Sequence, residues 1–144
     1  TIVAALELAK RLQLSETKEL TKIDSSNAVF KMMQPVIGDL PHEEFWVLLL
    51  NNSNKVIYKL QLSKGGLTQT IVDIRLIFKT ALEHLATAII LLHNHPSGQL
   101  APSAADKDIT QKIKTAGNTL DIKLLDHLII TQTDYFSFAD EGIL

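Results

Sequence analysis

His93-Asn94-His95-Pro96-Ser97-Gly98, followed by Ser103 and Asp106, is the stretch of this chain best equipped for chemistry. Two imidazoles at i and i+2, a proline-glycine turn and an acid just inside an expected helix supply three ligands for one ion. The chain has no cysteine, so zinc here must be held by His, Asp or Glu, and a catalytic zinc keeps a fourth position open for water. The chemistry this suggests is hydrolysis by metal-activated water.

Side chains two apart on a strand point to the same side, so His93 and His95 converge if strand geometry persists to its end. The competing reading is a polar turn in which both imidazoles bond locally. Ser103-Ala104-Ala105-Asp106 has its own plain explanation as a helix start, with Ser103 at the N-cap and Asp106 complementing the helix dipole. A helix start can also aim both side chains into a site, so the two readings coexist. Hydrolysis further needs a base, and Glu43 and Glu44 stand at the mouth of a buried strand, where a carboxylate is costly unless paired or functional. Alternation allows only one of the two to face the site, and the pattern leaves open which. Asp126-His127 interrupts an apolar strand and must find partners, either behind a metal ligand or as a structural hydrogen-bond pair. His42 and His84 lie among polar neighbours and read as surface residues.

The elements that position these groups follow from periodicity. Ile2, Leu6, Ala9 and Leu12 recur at helical spacing over residues 2–13. Ser25-Ser26-Asn27 offers the N-cap of a second helix, ending before Pro35 or near Gly38. Residues 45–50 are continuously apolar, as in a strand buried on both faces. A turn at 51–54 and an alternating run at 56–62 complete a hairpin. Gly65-Gly66 breaks the chain before a helix carrying Ile74, Ile77, Phe78, Ala81 and Leu85. Residues 86–92 form a second buried strand feeding His93, 103–117 a helix with Gly117 near its end, and 122–130 another strand. Helices on a central mixed β-sheet, an α/β domain, is the expected architecture.

At 144 residues the chain can hold one domain with a real core. Its formal charge is −2 with no basic block, which disfavours direct nucleic-acid binding by these residues. No run approaches the length of a membrane span and the N-terminus lacks a secretory pattern, so a cytoplasmic location and no membrane partner are expected. The first residue is Thr1, which leads us to expect a fragment of a longer polypeptide. His-Asn-His matches the HNH nucleases only by accident, because their residues are dispersed, and a zinc deaminase is disfavoured without Cys-x-x-Cys.

His93-x-His95, Ser103-x-x-Asp106 and an upstream glutamate are similar to the JAMM motif of JAB/MPN-domain metalloproteases. The hexapeptide 93–98, Pro102-Ser103, Asp106 and Leu125-Asp126-His127-Leu128-Ile129-Ile130 resemble the RadC family more closely, over residues 36–144. Arg75 and Ser137 also fit, and Asn94 agrees with RadC-like members. Gly66 departs from the threonine common after Gly65. The resemblance implies a JAB/MPN, cytidine-deaminase-like fold, with zinc held by His93, His95 and Asp106. It further implies Glu43 in its Glu-x-Phe position as general base and acid, Glu44 being the fallback, and Ser103 stabilising the oxyanion. Residues 1–35 would be N-terminal helices ending an upstream helical region, and 36–144 the RadC-type domain.

Three functions follow as expectations. The first is a zinc metallopeptidase- or isopeptidase-type hydrolase acting on an unidentified peptide or protein. The second is a DNA-repair accessory module without chemistry, contacting DNA through a missing upstream region. The third is a scaffold that self-associates as a homo-oligomer.

Overall fold

A computed structural model describes residues 1–15, 19–64 and 72–144. Five strands form one mixed sheet in the order β2-β1-β3-β4-β5, comprising β1 (Glu44–Leu50), β2 (Val56–Lys64), β3 (Ala88–Asn94), β4 (Lys123–Ile130) and β5 (Tyr135–Ser137). The helices are α1 (Ile2–Ser15), α2 (Ser26–Met33), α3 (Ile74–Glu83) and α4 (Ala104–Thr119). This is the α/β class expected, a mixed sheet flanked by helices. The Gly65-Gly66 break lies outside the described residues.

The three central strands are apolar on both faces because the sheet is covered on both. Leu48, Leu50, Ile90, Leu92, Leu128 and Ile130 pack under Val29 and Met33 of α2 and Ile37 of the turn that follows it. On the other face Val47, Leu49, Ile89 and Leu91 meet Ile77, Phe78 and Ala81 of α3 and Ile113 of α4. Each such aliphatic side chain contributes about 1.5–3 kcal/mol when fully buried. β3 pairs antiparallel with β1 and parallel with β4, and the parallel step needs the crossover that α4 supplies.

The two N-terminal helices relate differently to the sheet. Ser25 caps α2 by accepting from the Ala28 N–H at 3.2 Å, and α2 belongs to the sheet's core. The α1 residues Ile2 and Leu6 remain 80% and 66% exposed. Pro35 does not end the second helix outright. The chain widens into a single π-helical turn, Gln34–Gly38, with the proline near its start, where a missing N–H is tolerated. The strand β5 was not anticipated. It is three residues long and pairs only with β4.

Gly117 is required by contact. A Cβ there would lie 2.3 Å from the Ile122 carbonyl oxygen, where the chain leaves α4 and enters β4. Gly117→Ala is expected to cost about 1–3 kcal/mol through overpacking, read as a lower midpoint in thermal unfolding. An unchanged midpoint would show that α4 can back away from β4 freely.

Candidate metal centre

His93 is the penultimate residue of β3 and His95 follows the strand, while Asp106 sits in the first turn of α4, so the site lies at the carboxyl end of a central strand. Imidazole nitrogens of His93 and His95 and a carboxylate oxygen of Asp106 all lie within 4.8 Å of one another. His93 Nε2 is 2.9 Å from His95 Nε2 and 3.2 Å from Asp106 Oδ1, and His95 Nε2 is 3.6 Å from Asp106 Oδ2. Three ligands at zinc bond lengths in a tetrahedron stand about 3.3 Å apart, so the donor set fits that ion in type and spacing. His95 Nδ1 lies 2.7 Å from the Gln99 carbonyl oxygen, which can only accept. His95 therefore carries its proton on Nδ1 and offers Nε2 as a ligand.

Asp106 does two things. Its Oδ2 accepts from the Ser103 N–H at 2.7 Å, and Ser103 Oγ accepts from the Asp106 N–H at 3.0 Å, a complete capping box. The same carboxylate faces both imidazoles. The helix start and the site are one structure.

The two glutamates separate. Phe45 stacks on His93 with ring centroids 5.8 Å apart and belongs to the core on the α3–α4 side, whereas Trp46 packs on the α2 side. Glu44 shares the Trp46 face. Its carboxylate is buried, accepts from Gln61 Nε2 at 2.7 Å and lies 3.7 Å from His42 Nε2. By alternation Glu43 lies on the face of Phe45 and His93, exposed at the rim, and its charge acts on His95.

Asn94 had no role assigned from its sequence position, yet it is almost fully buried. Its Nδ2 donates to the His42 carbonyl at 2.8 Å, and its Oδ1 accepts from the Glu44 N–H at 2.7 Å. One amide thus grips the backbone on both sides of Glu43. Asp126 and His127 part company across the sheet. Asp126 accepts from Ser137 Oγ at 2.5 Å and the Ala139 N–H at 3.0 Å, tying down the C-terminal turn. Burial raises its pKa, against those donors. His127 is fully buried, 2.8 Å from His93 Nδ1 through its Nε2 and 2.6 Å from Thr110 Oγ1 through its Nδ1. Thr110 carried no signal beyond standing four residues after Asp106, on the same helix face. His42 is half-buried, and His84, exposed, bonds to the Thr80 carbonyl. Arg75 pairs with Asp73, the N-cap of α3.

A JAB domain is the class that this fold and donor set define. The RadC-like JAB domain model matches residues 23–143, and the chain belongs to that family. It is 66% identical to a UPF0758 protein of Flavobacterium johnsoniae over 99% of its own length and 62% of that relative. It is 48% identical to one of Porphyromonas gingivalis, over 100% and 64%, and 41% identical to one of Variovorax paradoxus, over 99% and 64%. The chain thus spans a little under two thirds of these curated relatives. Among the described residues no helix is long and apolar enough to cross a membrane.

Charge coupling within the site sets a pH signature for the metal-free protein. Burial pushes Asp106 up, but hydrogen bonds with the charged forms of His93 and His95 outweigh it and hold the carboxyl well below the usual range. The Asp106 carboxylate in turn raises His95 above 6.5, against desolvation, with the Gln99 carbonyl and Glu43 adding to it. The raised His95 stabilises the fold fully below 6.5, an effect lost as pH rises through its folded value. The depressed Asp106 contributes above 3.8 and fades as pH falls towards its folded value. Ring NMR of metal-free protein should show His95 titrating above 6.5, and Asp106→Asn should bring the midpoint down. A wild-type midpoint at or below the ordinary value would refute the pairing. Asn94→Ala should cost about 1–3 kcal/mol in denaturant unfolding, because the buried Glu44 N–H is left unsatisfied.

Proposed function

We propose that this domain is a zinc-dependent hydrolase of amide or isopeptide bonds in a peptide or protein. The observation that supports it most is the convergence of His93, His95 and Asp106 on one point, with Glu43 on the same side of the sheet. Bound there, the ion supplies a Lewis acid that polarises the carbonyl and makes water acidic enough to react near neutral pH. Glu43 takes the proton from the attacking water and returns it to the leaving amine, a role that needs its exposed carboxylate at the rim. Asn94 holds the backbone that carries that carboxylate. Ser103 Oγ accepts from the Asp106 N–H, which leaves its hydroxyl proton free to donate to the developing oxyanion. Beside His95 a cleft of about 500 Å³ runs between Asp39, Pro41, Ser97, Thr131 and Thr133, and we assign it to the substrate chain.

Protein purified without chelator should contain zinc, and His95→Ala should lose it; equal zinc in both would overturn the ligand set. Glu43→Gln should keep the metal and lose about 10²–10⁴-fold in hydrolysis of a peptide or isopeptide substrate. Activity that survives this substitution would remove Glu43 from the mechanism.

A further inference from the structure

Behind His93 runs a chain of hydrogen bonds whose direction can be read from its far end. Thr110 Oγ1 donates to the Asp106 main-chain carbonyl at 2.6 Å, the usual bond of a helical threonine to the carbonyl four residues back. A hydroxyl has one proton, so towards His127 this oxygen only accepts. His127 Nδ1 therefore donates to it across 2.6 Å. His127 is fully buried and packed against Phe138 and Phe45, with ring centroids 4.7 and 5.7 Å away. Its apolar surroundings keep the ring neutral. A neutral imidazole that donates through Nδ1 accepts through Nε2, so across the 2.8 Å contact His93 Nδ1 is the donor.

From this directed chain we infer that Thr110 and His127 are positioning residues that hold the proton of the neutral His93 ring on Nδ1 and so leave Nε2 to an ion shared with His95 and Asp106. The inference rests on the metal-site reading above. It gives the two imidazoles different anchors. His95 is set by a main-chain carbonyl, whereas His93 is set by a relay of two side chains that ends on the backbone of the third ligand. Were the relay reversed, the Thr110 hydroxyl would point at His127, and His93 would be left with its proton on Nε2, where no ion could bind.

Nitrogen NMR of the metal-free full chain with isotope-labelled histidine, at alkaline pH, reads the tautomer directly. His93 should carry its proton on Nδ1, and His127 likewise. A His93 protonated on Nε2 would overturn the inference. In chelator competition, Thr110→Val should weaken zinc binding by about 10–100-fold, the range for loss of a ligand's outer partner. Thr110→Ser, which keeps the hydroxyl, should bind as wild type. Unchanged affinity in the valine variant would also overturn it. A wild-type chain that binds no zinc would defeat the proposed function and leave this inference to be decided by the metal-free spectrum. Tight zinc binding with the reversed tautomer would defeat the relay alone.

Discussion

The pairing of β1, β3 and β4 puts Phe45, His93 and His127 on one face of the sheet, and the site depends on that shared parity. Phe45 lies opposite His93 across the antiparallel pair, while His127 lies opposite Leu91, two residues back along β3. A slip of one residue in either pairing would turn one of these side chains to the α2 side. Register is secured by burial on both faces, since Leu48, Leu50, Ile90 and Leu92 fill one core and Val47, Leu49, Ile89 and Leu91 the other. The polar site is thus held in place by the apolar packing of the strands that carry it.

Much of this was legible in the residues. The His-x-His spacing at a strand exit and the acid in the following helix named the three side chains that the structure brings together. Ser103 and Asp106 could be read either as a cap or as part of a site, and the structure shows a complete capping box whose Asp106 carboxylate also faces both imidazoles. The residue pattern did not separate the glutamates, which only the resemblance to RadC proteins did, because 45–50 is continuously apolar and such a strand shows no alternation to say which face is which. In the structure the packing of Phe45 and Trp46 on opposite sides separates Glu43 from Glu44. Asn94 was hidden for a different reason: its partners are main-chain atoms fifty residues away. Thr110 looked like an ordinary polar helix residue, and β5 was too short to leave a periodic trace.

Adjacent residues repeatedly divide their labour across the sheet. His93 faces the metal centre while Asn94 holds β1. His127 supports His93 while Asp126 secures the C-terminal turn. A strand with both faces buried has no solvent side on which to leave a polar group, so each polar side chain must be answered by a specific partner.

The capping box at the head of α4 has a consequence for how an ion would be acquired. Asp106 is held by the helix it starts, His95 by the Gln99 carbonyl and His93 from behind by His127, none of which requires a cation. The core on the α3–α4 side reaches this centre through Phe45, which stacks on His93. The placement of these three side chains thus follows from protein contacts, unlike the ligands of small zinc modules that collapse around their metal. A cation that bound there would meet side chains already in place and would pay little to order them.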